Sequence, residues 1–353
     1  MRAMVLRSTM AMRTDARPLE ATDWPDPEPD AGEVLIRVHV CAVCHTELDE
    51  IEGRVAACLP IIPGHEAVGR IVSVGPGVDE TLVGGRVGVG WIHSACGECE
   101  WCRRGEENLC PDFRGTGCHA HGGYAEYMAV PAAFTHPIPD VLDDVSAAPM
   151  LCGGAIGLRS LRLSGLENGQ VLGLTGYGGS NHQVHRLASL VLPDSPVVVW
   201  ARNPEQRRQA LDAGAQWAGK THDHCPLDVR AIIDTTPVWE TVLAALGQLA
   251  PGGRLVINAI AKETGDRRLL ADLDYPRQLW MERSIQSVAN VARQDIRDFL
   301  ALAGEHAILR PVTTRFPLER ANEALHELTS GQVRGAKVLE ISGQAARKRI
   351  RAA

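Results

Sequence analysis

Cys44-His45-Thr46-Glu47-Leu48 and Pro63-Gly64-His65-Glu66 put a thiol and an imidazole in two short segments. With a third ligand from farther down the chain, they make a three-ligand zinc site whose fourth position stays open for chemistry. Cys96, Cys99, Cys102 and Cys110 follow as Cys-x2-Cys-x2-Cys-x7-Cys. Four thiolates close a tetrahedron around zinc, so this second site is structural and ties down a lobe with few apolar side chains of its own. A chance cluster of free or iron–sulfur cysteines is the alternative, and iron–sulfur runs usually show other spacings.

The elements that must position these groups are readable nearby. Glu33 to Val40 alternates apolar and polar residues, the pattern of a half-buried strand, and leads straight into Cys44. Trp24 to Asp30 is too proline-rich for helix or central strand and is a loop. Ala67 to Gly75 and Gly84 to Val89 continue as short strands punctuated by glycine, which makes the first domain mostly β.

A different texture starts near residue 151. Gln170 to Thr175 is a strand, Gly176-Tyr177-Gly178-Gly179-Ser180-Asn181 a glycine turn, and His182 to Leu190 a helix. In that context Gly176, Gly178 and Gly179 offer backbone N–H groups and a helix N-terminus to a dinucleotide pyrophosphate. Asn181 stands where the fingerprint wants Gly or Ala, so the helix–strand packing there is expected to be adjusted. The strand Pro196 to Trp200 ends at Ala201-Arg202-Asn203, with no acid for the ribose hydroxyls. Arg202 can pair with a 2′-phosphate, which turns the balance toward NADP over NAD; a solvated loop arginine is the alternative. Strands at Val229 to Ile233 and Gly253 to Asn258 complete a doubly wound sheet. Arg293 to Ala303 is helical, Phe316 to Leu325 reads as a helix start, and Ala336 to Ile341 as a strand.

With 353 residues, two domains are the natural expectation. A net charge of −7 offers no basic surface for nucleic acid, and Glu98, Glu100, Glu106 and Glu107 crowd the cysteine lobe, which argues against a nucleic-acid-binding zinc module. The short basic run Arg347 to Arg351 reads as a solvated terminus. No apolar run approaches the roughly 20 residues that span a bilayer, and the start lacks a signal-peptide core, so the expectation is a cytoplasmic protein with no membrane partner. There, ten cysteines point to metal rather than to a disulfide framework.

Taken in order, Cys44 to Leu48, Gly64-His65-Glu66, the four-cysteine lobe, Gly122-Gly123-Tyr124-Ala125-Glu126-Tyr127, Cys152-Gly153-Gly154 and Gly176 to Gly179 resemble the medium-chain zinc-dependent alcohol dehydrogenase family, over essentially the whole chain. The resemblance implies an α/β protein: a GroES-like, mostly-β catalytic domain at 1–151 with a structural-zinc lobe at about 91–115, a Rossmann NAD(P)-binding domain at 152–290, and a return to the catalytic domain at 291–353. It implies zinc-dependent interconversion of alcohols and aldehydes or ketones by hydride transfer to or from NAD(P). Carried over by position, Cys44, His65 and Cys152 ligate the catalytic zinc, with Glu66 beside them as an outer or exchanging ligand. Thr46 passes the substrate proton outward, and His45 faces the cofactor pyrophosphate. Arg202 and Arg293 join the cofactor contacts, and Trp91 lines the substrate pocket.

Besides Asn181, three places depart from the family pattern. The residues after Cys152 lack the Thr and Tyr that commonly come next, which alters the pocket and cofactor contacts more than the metal. Glu47 replaces the usual Asp that supports the ligands, which is expected to loosen that contact. Asp49 stands where many relatives have the terminal histidine of the proton relay, so the last step would pass through His45, the ribose or water. Cys41, Cys58, Cys118 and Cys225 match no ligand position, and His119, His121, His222 and His224 read as loop residues. The family implies a homodimer or homotetramer. Two alternatives stay open: a relative specialised for bulkier aromatic or polyol substrates, since Gly53 to Pro60 has no large aromatic residue, and a zinc-stabilised NADPH-binding protein with impaired catalysis.

Overall fold

A computed structural model describes residues 1–329 and 335–341; the basic run Arg347 to Arg351 lies outside the described residues. The chain divides into two compact units, one made of Met1–Ala155 with the chain from Val291 onward, the other of Ile156–Asn290. The first boundary falls after Ala155 rather than after Leu151. Residues just beyond 151 are bound into the first unit: Cys152 Sγ stands 3.9 Å from Cys44 Sγ, and a Cβ on Gly154 would meet Phe299 Cε1 at 2.2 Å.

The first unit is built on β1 (Arg2–Leu6), β2 (Leu19–Asp23), β3 (Glu33–Val43), β4 (Ala67–Val74), β5 (Arg86–Val89), β6 (Ile92–Ser94), β7 (Arg114–Gly115), β8 (Tyr127–Pro131) and β9 (Thr135–Pro137). β3 is its central strand, pairing antiparallel with β4, β8 and the late strand Ala336–Glu340. Along β3, Val34, Ile36, Val38 and Val40 are buried between half-buried neighbours, and from Cys41 every residue is buried. The alternation therefore ends where the strand enters the core and delivers Cys44. β6 and β7 pair with each other and bracket the four cysteines.

One element differs from its sequence reading. Phe316 and Pro317 do not open a helix; they end the strand Thr313–Pro317, and the helix starts at Ala321. Phe316 is opposite Leu339 in a parallel pair and is buried. Pairing with a strand from beyond the local window decides the conformation there.

The second unit is a six-stranded parallel sheet made of β10 (Val171–Thr175), β11 (Val197–Trp200), β12 (Trp217–Gly219), β13 (Val229–Asp234), β14 (Leu249–Ile257) and β15 (Ser284–Ser287). Their order, β12-β11-β10-β13-β14-β15, reverses direction between β10 and β13. That is the doubly wound arrangement, with its topological switch point beside β10. Val197 to Trp200 is buried throughout, as expected of a strand covered on both faces. The α/β class expected from the sequence is the one observed. Among the described residues no helix is long and apolar enough to cross a membrane.

Candidate metal centre and cofactor turn

Cys44 follows β3 in extended conformation and caps helix α1, His45–Ile51. Three residues into that helix, Glu47 returns one carboxylate oxygen to the Cys44 N–H at 2.7 Å, closing the first turn. The other oxygen lies 2.7 Å from His65 Nδ1, and both side chains are fully buried. The departure from Asp to Glu therefore does not loosen the support of the ligands; the longer side chain spans both partners at once.

With the carboxylate on Nδ1, His65 Nε2 is left for a metal. Nε2 is buried beside the Cys44 sulfur, with no oxygen or nitrogen partner among the described residues. Leaving such a group unpaired costs about 1–3 kcal/mol, a cost that a metal bond removes. Cys44, His65 and Cys152 bring their ligand atoms within 4.8 Å of one another. Two sulfurs and one imidazole nitrogen are a zinc donor set with an open fourth position, so the residues present fit the ion. The hydrogen bond with Cys152 holds the Cys44 thiol well below its usual range, and the same contact, with burial, pushes Cys152 up. Burial opposes a charged His65, but the Glu47 carboxylate and the Cys44 sulfur raise it well above the usual imidazole range.

Gly64, just before His65, has φ +98, and a Cβ there would meet the Tyr124 ring at 2.4 Å. Only glycine satisfies both demands. Glu66 is buried but does not join the three ligand atoms; it accepts the Gly153 N–H at 3.4 Å, and burial followed by the Cys44 charge raises it well above the carboxylate range. Thr46 is buried with its hydroxyl 3.7 Å from Cys44 Sγ, and His45 is exposed at the start of α1. Trp91 is buried edge-on against His65, with ring centroids 5.2 Å apart. Asp49 is also buried and is bound by Arg54 at 2.5 Å, a partner the sequence reading missed because nothing in the local pattern marks it.

The four-cysteine lobe also forms a ligand set, all four sulfurs within 4.8 Å of one another. Backbone amides point at the sulfurs: Cys99 N donates to Cys96 Sγ at 3.3 Å, and Cys96 N to Cys110 Sγ at 3.5 Å. Such donors stabilise thiolates, and the amides of Glu98 and Cys99 lower Cys96 to about 7.

In the second unit, Gly176 has φ +74 and a Cβ there would lie 3.0 Å from Thr236 Cγ2. Gly178 caps the helix Gly179–Val191, and a Cβ on Gly178 or Gly179 would meet nothing within 4 Å. The helix N-terminus is thus left open for an anion. Asn181 is buried and its Nδ2 donates to Thr175 O and Gly176 O, both at 2.8 Å. The amide replaces the close packing a small residue would give with hydrogen bonds to the turn. Arg202 is exposed just past the end of β11. Arg293, which the resemblance places among the cofactor contacts, lies in the first unit, with Nε 2.6 Å from buried Glu107, Nη1 3.1 Å from Ala133 O, and its guanidinium over Phe134. Those contacts tie the start of its helix to the rest of the first unit.

Comparison with known proteins matches residues 30–140 to the alcohol dehydrogenase GroES-like domain and 210–339 to the zinc-binding dehydrogenase family. A probable alcohol dehydrogenase AdhA of Mycobacterium tuberculosis is 41% identical, over 93% of this chain and 94% of its own length. An alcohol dehydrogenase of Geobacillus stearothermophilus is 33% identical over 92% of this chain and 96% of its own. Among solved structures, a cinnamyl alcohol dehydrogenase of Sorghum bicolor superposes with a TM-score of 0.81 at 26% identity, covering 97% of this chain and 98% of that one.

Proposed function

Since the chain belongs to the medium-chain zinc-dependent alcohol dehydrogenase family, we propose that it interconverts a small alcohol and its aldehyde or ketone with NAD(P), using zinc held by Cys44, His65 and Cys152. The observation that carries this reading is the convergence of the Cys44, His65 and Cys152 ligand atoms within 4.8 Å of one another, with Glu47 on the far side of the His65 ring. The bound ion supplies Lewis acidity toward the alcohol or carbonyl oxygen. The nicotinamide cofactor supplies the hydride acceptor or donor.

The chain's own residues do the rest. Glu47 fixes the ring of His65 and the start of α1, so two ligands are set by one carboxylate. The Thr46 hydroxyl, beside Cys44, takes the substrate proton and passes it toward exposed His45. Asp49 is tied to Arg54 and is left out of that route. Glu66 stands behind the ligands as an outer carboxylate, and Trp91 walls the pocket. Gly176, Gly178 and Gly179 receive the pyrophosphate, and exposed Arg202 favours a 2′-phosphate, hence NADP. Cys96, Cys99, Cys102 and Cys110 hold a second, structural zinc. By analogy with the family, the assembly is a homodimer or homotetramer and the compartment the cytoplasm.

An impaired NADPH-binding protein, the reading suggested by Asn181, Asp49 and the residues after Cys152, is not favoured: Asn181 bonds the glycine turn, and Cys44, His65 and Cys152 keep their ligand atoms together. Turnover over a panel of alcohols, before and after chelation and with zinc restored, tests the reading. Zinc-restored activity is the expected result; a metal-independent rate on every alcohol would overturn it.

A further inference from the structure

Asp234 ends β13 with no exposed surface, in register with Thr175 of β10 and Ile257 of β14. Its Oδ1 accepts the hydroxyls of Thr175 at 2.5 Å, Thr236 at 2.9 Å and Thr241 at 3.1 Å. Its Oδ2 is bonded by Lys262 Nζ, which also donates to Thr236 O at 2.7 Å and Val238 O at 3.3 Å. An ammonium has three protons, and all of them are used. Backbone bonds run alongside, from Asn258 N to Asp234 O and from Glu263 N to Pro237 O, each 2.8 Å.

Stability gives little reason to keep a charged pair in this place. Apolar residues of similar volume do as well or better, whereas a pair with every donor and acceptor satisfied fixes a single geometry. What it fixes is the segment 235–238, whose Thr235 N–H donates to Thr175 O at 3.3 Å and whose Thr236 methyl carbon would lie 3.0 Å from a Cβ placed on Gly176. Both lie at the carboxyl ends of β10 and β13, where the strand order reverses, and open parallel sheets bind ligands at that reversal.

We propose that Lys262 is a positioning residue for the nicotinamide cofactor: through Asp234 and the carbonyls of Thr236 and Val238, it holds residues 235–238 in the conformation on which the glycine turn rests. The inference rests on the reading that this unit binds the cofactor. Lys262 touches no reacting atom; it acts through the loop.

The test compares the whole protein with Lys262→Met, Lys262→Arg and the double variant Asp234→Asn/Lys262→Met. Dissociation constants for NADPH and NADH are read from nicotinamide fluorescence, next to kcat, cofactor KM, melting temperature and amide exchange of residues 235–238. Lys262→Met is expected to raise the cofactor Kd and KM about tenfold, the effect of losing roughly one charged hydrogen bond, with kcat within about threefold. Amide exchange should quicken in 235–238, and Lys262→Arg should recover part of the affinity. The double variant no longer buries an unpaired carboxylate, so its melting temperature should recover while its Kd stays high; it also keeps the comparison valid if Lys262→Met folds poorly. A Kd in Lys262→Met equal to wild type, or one restored together with stability in the double variant, overturns the proposal. Wild-type protein that binds neither cofactor overturns the cofactor reading itself, and this proposal with it.

Discussion

Glu47 and His65 face each other with no exposed surface, Oε1 2.7 Å from Nδ1, while the second oxygen of Glu47 takes the Cys44 N–H. One carboxylate therefore orients two of the ligands, which lie on separate segments of the chain. Residues that orient a ligand from outside commonly carry 10–100-fold in metal affinity. Glu47→Gln should lower zinc retention against a chelator, and kcat/KM with it, by about that factor. Glu47→Asp, too short to span both partners, should fall between the two. Unchanged zinc retention in Glu47→Gln would show that the contact does not matter.

The four-cysteine lobe is expected to act on stability rather than on chemistry. Cys99→Ser should leave one zinc bound per chain and lower the melting temperature, since a closed thiolate site contributes folding energy directly. Metal analysis with calorimetry checks it. Two zinc ions retained in Cys99→Ser would remove Cys99 from the ligand set.

Much of this was legible because ligand chemistry allows few residue types and few spacings. Cys44, His65 and the four clustered cysteines stand out in one pass along the sequence. Cys152 was legible only through the family resemblance, because no local spacing links it to Cys44; in the fold its sulfur is 3.9 Å away. The partner of Arg293 was illegible for a similar reason: Glu107 is 186 positions distant, and no window around Arg293 contains that carboxylate. Thr313–Pro317 was missed as a strand because its partner, Ala336–Glu340, lies outside the local pattern. Asn181 was flagged as an exception, but its bonds to Thr175 and Gly176 could be known only once the strand and turn were folded over it.

Arg202 is exposed past the end of β11, and the proposed function assigns it the 2′-phosphate of NADP. Arg202→Ala should raise KM for NADP about tenfold, near 1.4 kcal/mol for one charged contact, and leave KM for NAD almost unchanged. Initial rates with both cofactors decide it. A wild-type preference for NAD would contradict the NADP reading.

Burial pushes His93 down to about 4, His136 to about 3 and His185 to about 4. The unfolded chain takes up protons at these residues from about pH 6.5 downward while the folded chain does not, so their stabilising effect is present above that pH and is lost as pH falls toward the folded values. Buried acids such as Glu66 are pushed up and give the opposite slope, so the effect must be read as a difference. The stability of wild type relative to His136→Asn should shrink from pH 7 to pH 5, by at most about 1.4 kcal/mol per pH unit. Melting curves at pH 7, 6 and 5 check the sign. A difference that grows on acidification would contradict it.

The most direct test of the central claim is Cys44→Ser, assayed for bound zinc and for alcohol-dependent reduction of NADP and NAD. The account expects two zinc ions per wild-type chain, one in the variant, and loss of turnover with the lost ion. Full dehydrogenase activity in Cys44→Ser, or an active wild-type protein without zinc, would contradict it.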